Sequence, residues 1–119
     1  MAQHNELGTE GEQIAVDYLI KKGYKIKERN WRFKKAEIDI IAQLENFLIA
    51  VEVKTRSTDD FGDPQDFLKP KQKNLLIGAM DEYVVSKDLD VEVRFDVIGI
   101  IKNQKETKIE HFEDAFFHF

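Results

Sequence analysis

The 119-residue chain contains no cysteine. That absence excludes a disulfide framework, a thiol nucleophile and a zinc–thiolate centre. Proline and glycine are scarce, at two and six residues, too few for a low-complexity or collagen-like chain. No internal repeat or linker interrupts the sequence. No apolar run approaches the roughly 18 residues that a membrane-spanning helix needs. The start, Met1-Ala2-Gln3-His4, lacks the basic and apolar segments of a secretory signal. With 42% apolar and 34% charged residues, the expectation is one folded domain over residues 1–119, cytoplasmic and away from membranes.

A formal net charge of −5 argues against a protein that coats nucleic acid indiscriminately. The average hides a gradient. Between Lys21 and Lys35 stand eight basic residues against one acid, Glu28, with Tyr24, Trp31 and Phe33 interleaved. From Asp81 to Asp96 acids predominate. A basic band on an acidic body suits a protein that touches phosphate in one place and avoids it elsewhere, although a merely solvated charged face produces the same composition.

Apolar periodicity predicts a first helix over Thr9–Lys22, with Thr9 and Glu12 spaced as a capping box and Gly23 as a left-handed stop. Two strands follow, Ala36–Gln43 and Phe47–Thr55, turning at Glu45-Asn46. Asp59–Lys69 reads as a loop. Pro70 suits the first position of a helix reaching about Ser86. Val91–Ile101 reads as a strand, with a short strand near Lys108 and an aromatic tail, Phe112–Phe119. The tail phenylalanines Phe116, Phe117 and Phe119 read as a staple on the core, and His4, His111 and His118 as structural or surface residues. The order of elements predicts an α/β sheet covered by helices.

The hairpin carries the chemistry. Whether its loop has two or four residues, paired residue numbers add to 91. One face then holds Ile38 with Val53, Ile40 with Val51 and Ala42 with Ile49, and must be buried. The other holds Ile41 with Ala50, Asp39 with Glu52, and Glu37 with Lys54. Two carboxylates directly opposed, with side-chain roots about 4.5–5.5 Å apart, repel each other. Either one holds a proton or a cation lies between them. Oxygen ligands with open water positions match a hard divalent ion, magnesium or manganese, and no histidine or cysteine cluster competes. Such an ion neutralises phosphate charge and activates a water, which Lys54 orients or assists by stabilising charge on phosphorus. Glu12 is a candidate third carboxylate. Plainer readings exist: Glu12 closing its capping box, and Glu37 with Lys54 as an ordinary cross-strand ion pair. The facing of Asp39 with Glu52 is what they explain least.

Asp39, a hairpin, then Glu52-Val53-Lys54 resembles the Asp…Glu-x-Lys core of the restriction-endonuclease-like nuclease superfamily. Further segments narrow the resemblance: Gly8–Ala15, Arg29-Asn30-Trp31-Arg32, Glu37–Ala42, Val51–Arg56, Phe61-Gly62 and Arg94–Val97. Together they are similar to the YraN-type family of small bacterial proteins, itself related to Holliday-junction resolvases. The resemblance implies a three-layer α/β/α restriction-endonuclease-like fold with a central mixed sheet. It implies that Asp39 and Glu52 bind the metal and that Lys54 is catalytic, with Glu12 matching the helix acid of archaeal-type resolvases. One departure is Ala36, where relatives carry glycine. Arg29, Arg32 and Lys34 of the basic band, with Arg56, Lys71 and Lys73, are the candidate phosphate contacts. For Asp96, two residues from Arg94, an internal ion pair is expected.

The leading expectation is a magnesium- or manganese-dependent nuclease hydrolysing DNA phosphodiesters, with branched or recombination intermediates as the implied targets and a homodimer as the form a junction resolvase requires. The alternatives are a nucleic-acid-binding module without turnover and a protein-interaction adaptor on the same scaffold.

Overall fold

A computed structural model describes residues 6–57 and 67–116. Among the described residues seven elements follow one another: α1 (Glu6–Lys21), β1 (Lys25–Phe33), β2 (Ala36–Leu44), β3 (Phe47–Arg56), α2 (Pro70–Ser86), β4 (Glu92–Lys102) and β5 (Thr107–Phe112). The strands lie in one sheet in chain order, antiparallel except where β3 runs parallel to β4. That parallel step requires a crossover, and α2 supplies it.

Each sheet face has its own core. Ala15, Val16 and Leu19 of α1 pack with Ile40, Ala42, Ile49, Val51, Ile98 and Ile100 on one face. Leu76, Ala79, Met80 and Tyr83 of α2 pack with Ile41, Leu48, Ala50 and Phe95 on the other. A sheet buried on both faces reads as near-continuous apolar runs, which is what Ile38–Ala42 and Leu48–Val51 are. The layers are therefore α/β/α around a mixed sheet.

Local signals explain most element ends. Gly23, at φ +94°, closes α1. Its N–H donates to the Ile20 carbonyl, and the Tyr24 N–H donates to the Leu19 carbonyl, each at 3.0 Å. These are the paired bonds of a Schellman stop, with Tyr24 and Leu19 packed together beneath it. Pro70 opens α2, and the Lys69 N–H donates to the Gln72 side chain at 3.0 Å. The β2–β3 hairpin closes at Leu44 opposite Phe47, with Glu45 at φ +54° in the turn.

Three expectations need correction. Helix α1 begins at Glu6, so Thr9 lies inside it and cannot cap it, which frees Glu12 from the capping box. The basic band is a strand: β1 alternates between exposed and half-buried positions along Lys25–Phe33, an edge-strand pattern that abundant lysine disguises. Ile38 does not share a face with Val53. Ile38 packs on the α2 side and Val53 on the α1 side. Of the expected loop, residues 58–66 lie outside the described residues, as do His4, Phe117, His118 and Phe119. Phe116 does act as a staple, its ring stacked on Phe95 with centroids 4.8 Å apart.

Candidate functional site

The site begins where the hairpin ladder stops. Residue sums of 91 hold from Leu44 with Phe47 to Ile40 with Val51. The same sum would pair Asp39 with Glu52 next, but the ladder has ended and side chains take over from the backbone. The Val53 N–H donates to Asp39 Oδ2 at 2.8 Å, and the Asp39 N–H donates to Glu52 Oε2 at 3.2 Å. Each carboxylate thus reaches across to the other strand's backbone, and both occupy the same gap. In β1 the position between the partners of Ile40 and Ile38 is Asn30, at φ +51°, a conformation that asparagine tolerates better than most residues. The change of face between Ile38 and Ile40 falls at the same level, although the β1–β2 register runs through it, Arg29 with Ile40 and Trp31 with Ile38.

The electrostatics of the pair follow from this placement. Burial pushes the Asp39 carboxyl up to about 6; the Val53 N–H opposes the shift, the Glu12 and Glu37 charges add to it, and Lys54 counters them. Burial also holds Glu52 well above the ordinary carboxylate range, and the Asp39 charge pushes the same way, against the Asp39 N–H and Lys54. Two desolvated acids in one gap favour a proton or a cation.

Helix α1 brings the third acid near. Glu12 is buried to 9% exposure, and its charge is felt at Asp39. It gets there because Gly11 lies against Thr55 of β3. A Cβ at Gly11 would stand 2.9 Å from both Cβ and Cγ2 of Thr55, and closer still to its hydroxyl. Only glycine allows the helix so near the strand that carries Glu52 and Lys54. Sequence reasoning missed this; the signal was the Gly11-Glu12 pair itself.

A cleft of about 470 Å³ opens beside Glu52. Arg32 of β1, Lys34 and Lys35 of the β1–β2 turn, and Gln72 and Leu75 of α2 line it, together with Glu37. Of the candidate phosphate contacts, the structure brings Arg32 and Lys34 to this cleft and adds Lys35. Arg29 instead donates to Gln13 of α1 at 3.2 Å, and Arg56 to the Thr55 carbonyl at 3.0 Å. Lys73 lies over the Phe116 ring, 5.8 Å from its centroid, and Lys71 is exposed at the start of α2. Glu37 forms an ion pair with Arg32 at 3.6 Å, in place of the cross-strand pair expected with Lys54.

The donor set fits a hard cation in a restricted sense. Among the described residues no group of three histidine, cysteine, aspartate or glutamate side chains forms a ready-made cage. Asp39 and Glu52 each commit one oxygen to a backbone N–H, and Oδ1 and Oε1 are outside those bonds. Two carboxylate oxygens with remaining positions for water and phosphate is the pattern of magnesium bound at a phosphoryl-transfer site.

Asp96 fulfils its expected role as an internal partner. It is fully buried, takes two hydrogen bonds from Arg94 at 2.8 and 2.9 Å, and accepts from His111 Nε2 at 2.7 Å and from the Asp114 N–H at 3.0 Å.

Comparison with known proteins places these residues in a wider group. The model of the uncharacterised protein family UPF0102 matches residues 11–100, a stretch that contains Glu12, Asp39, Glu52 and Lys54. A UPF0102 protein of Flavobacterium psychrophilum is 64% identical over 119 residues, the whole of both chains. One of Christiangramia forsetii is 62% identical, again over the whole of both. One of Phocaeicola vulgatus is 45% identical over 117 residues, 98% of this chain and 97% of the other.

Proposed function

The chain belongs to the uncharacterised protein family UPF0102, and we propose that it is a metal-dependent nuclease that hydrolyses phosphodiester bonds in DNA. The observation that carries this reading is the crossing of the two carboxylates, Asp39 onto the Val53 N–H and Glu52 onto the Asp39 N–H. It concentrates negative charge in a partly dry gap, a costly arrangement that a divalent cation relieves.

Asp39 and Glu52 would hold magnesium or manganese, which supplies neutralisation of phosphate charge and a water of lowered pKa. The chain's own groups do the rest. The backbone N–H bonds hold the two carboxylates in one orientation, so no reorganisation is needed when substrate arrives. Lys54, whose charge acts on both acids, orients the attacking water and stabilises the negative charge that develops on the phosphoryl oxygens. Arg32, Lys34 and Lys35 hold the flanking phosphates. Glu12 deepens the negative potential at Asp39 and strengthens its grip on a cation.

The test is cleavage of linear, single-stranded, flapped and four-way DNA with and without manganese. Asp39→Asn and Lys54→Ala are expected to lower the rate at least 100-fold while keeping a cooperative thermal unfolding midpoint that falls by no more than a few degrees below wild type. Manganese is expected to raise that midpoint in the wild type and not in Asp39→Asn. Undiminished cleavage by Asp39→Asn would overturn the reading. DNA affinity that falls with salt and with loss of Arg32 and Lys34, without turnover on any substrate, would replace it with a binding module.

A further inference from the structure

The basic cleft has a wall that phosphate binding does not need. Besides Arg32, Lys34 and Lys35 and the acids Glu37 and Glu52, the cleft is lined from α2 by Leu75, partly exposed, and Gln72. Gln72 is not free to swing: its Oε1 accepts the Lys69 N–H at 3.0 Å, which points the amide's two remaining donors elsewhere. A face that meets only the outside of a duplex touches phosphate and sugar, and basic or polar groups suffice for it. This cleft combines cations with an apolar side chain and an amide whose oxygen is already committed, leaving its N–H groups as donors. Its volume of about 470 Å³ falls in the roughly 300–1,000 Å³ range of pockets for small organic ligands. Those are the requirements of one nucleotide: charge for its phosphate, an apolar surface for the base face, and a donor for a ring acceptor.

We propose that the cleft beside Glu52 admits a single unpaired nucleotide, so that the substrate is DNA in which a base has left its stack next to the bond that is cut. This rests on the nuclease reading for the cutting, and on the cleft alone for the capture of the base. Taking a paired base out of a duplex costs a few kcal/mol, and an already unpaired base avoids that cost. The consequence is a preference for bulged, looped or single-stranded positions over uniform duplex.

Four DNAs of one sequence test it with manganese: perfect duplex, duplex with a one-nucleotide bulge, single strand, and the bulged duplex with an abasic residue at the bulge. Cleavage is expected within one nucleotide of the bulge, at least tenfold faster than on perfect duplex, and about tenfold slower when the bulged base is removed. Leu75→Ala is expected to cut the bulged substrate severalfold more slowly while the abasic one is unaffected. Gln72→Ala, at an exposed position, makes the same comparison should Leu75→Ala fail to fold. A 2-aminopurine bulge bound by Asp39→Asn reads capture without cleavage, as a change in its fluorescence. Equal rates on duplex, bulged and abasic DNA would overturn the proposal and leave a nuclease. A fluorescence change with no cleavage by the wild type would keep the cleft assignment and remove the nuclease. An unchanged 2-aminopurine signal would overturn the cleft assignment.

Discussion

Two groups of acids stand on neighbouring strands, Asp96 on β4 directly across from Val51 and Glu52 one residue further along β3. Around Asp96 every acceptor is answered. Burial alone would raise its pKa, but hydrogen bonds from His111 and Arg94, the Asp114 N–H and the Arg94 charge together bring it below the ordinary value. The same contacts, that to Asp96 first, raise the Arg94 guanidinium, and Arg94 also donates to the Tyr24 hydroxyl at 2.9 Å. Around Asp39 and Glu52 the balance fails: burial, the Glu12 and Glu37 charges at Asp39 and the Asp39 charge at Glu52 outweigh one N–H each and the nearby lysine. Both places hold acids drawn out of water, Asp96 fully buried and Asp39 and Glu52 half-buried, yet only one is electrostatically complete. The contrast separates a group that holds the fold from a pair that awaits something.

The contrast is broken most severely by Asp96→Ala. It leaves Arg94 and His111, with side chains 13% and 6% exposed, without their common partner. Removing one member of a buried ion pair costs about 3–5 kcal/mol, a large share of a small domain's stability. Urea unfolding should show that loss. A cost under about 1 kcal/mol would mean that the network contributes little and that the two groups are not so different.

The opposite pH dependence of the two sites sharpens it further. Asp96 titrates below its unfolded value, so its stabilisation is present above the ordinary carboxylate pKa and lost as pH falls through the lowered one. Asp39 and Glu52 titrate above theirs, so the native state holds protons that the unfolded chain has released. Metal-free stability therefore declines as pH rises from about 4 through the value near 6 of Asp39 and on through that of Glu52. Asp39→Asn removes part of that decline and should make the metal-free protein more stable at pH 8, by about 1–3 kcal/mol after allowance for partial solvation. Saturating magnesium should flatten the wild-type curve in the same sense. A metal-free stability that rises between pH 5 and 8 would show that the pair is not strained.

How far this was visible in the sequence depends on the kind of signal. The hairpin register was legible because period-two apolar runs flank a short turn, and a sum of 91 holds from Leu44 to Ile40. Gly23 and Pro70 announced their ends of helices by backbone chemistry that neighbours do not override. The strand at Lys25–Phe33 was not legible, since its half-buried residues change face, Ile26 packing on the α1 side and Trp31 and Phe33 on the α2 side, and its lysines and arginines mask the pattern. The start of α1 at Glu6 was hidden by Thr9 and Glu12, which imitate a cap. The opening of the ladder at Asp39 was out of reach for a different reason. Pairing arithmetic assumes a regular sheet, whereas here carboxylates replace the backbone acceptors and Ile38 changes face. The acids meet as the arithmetic foretold, through bonds that it did not contain.

The smallest effect probes whether α1, which touches both regions, ties them together. Its Glu12 lies near Asp39, while its Tyr18 hydroxyl lies 3.1 Å from His111 Nδ1, one bond removed from Asp96. The His111 ring thus faces Asp96 with Nε2, at 2.7 Å, and Tyr18 with Nδ1. Tyr18→Phe deletes that half-buried hydrogen bond while the ring keeps its edge-on packing against His111, with centroids 5.5 Å apart. The expected loss is about 1 kcal/mol, read as a small drop in the urea midpoint. Manganese-dependent cleavage should be unchanged, because nothing in this bond positions Asp39, Glu52 or Lys54. A fall in activity parallel to the fall in stability would show that the helix transmits strain from the complete network to the incomplete one, and the two would then have to be treated as a single electrostatic unit.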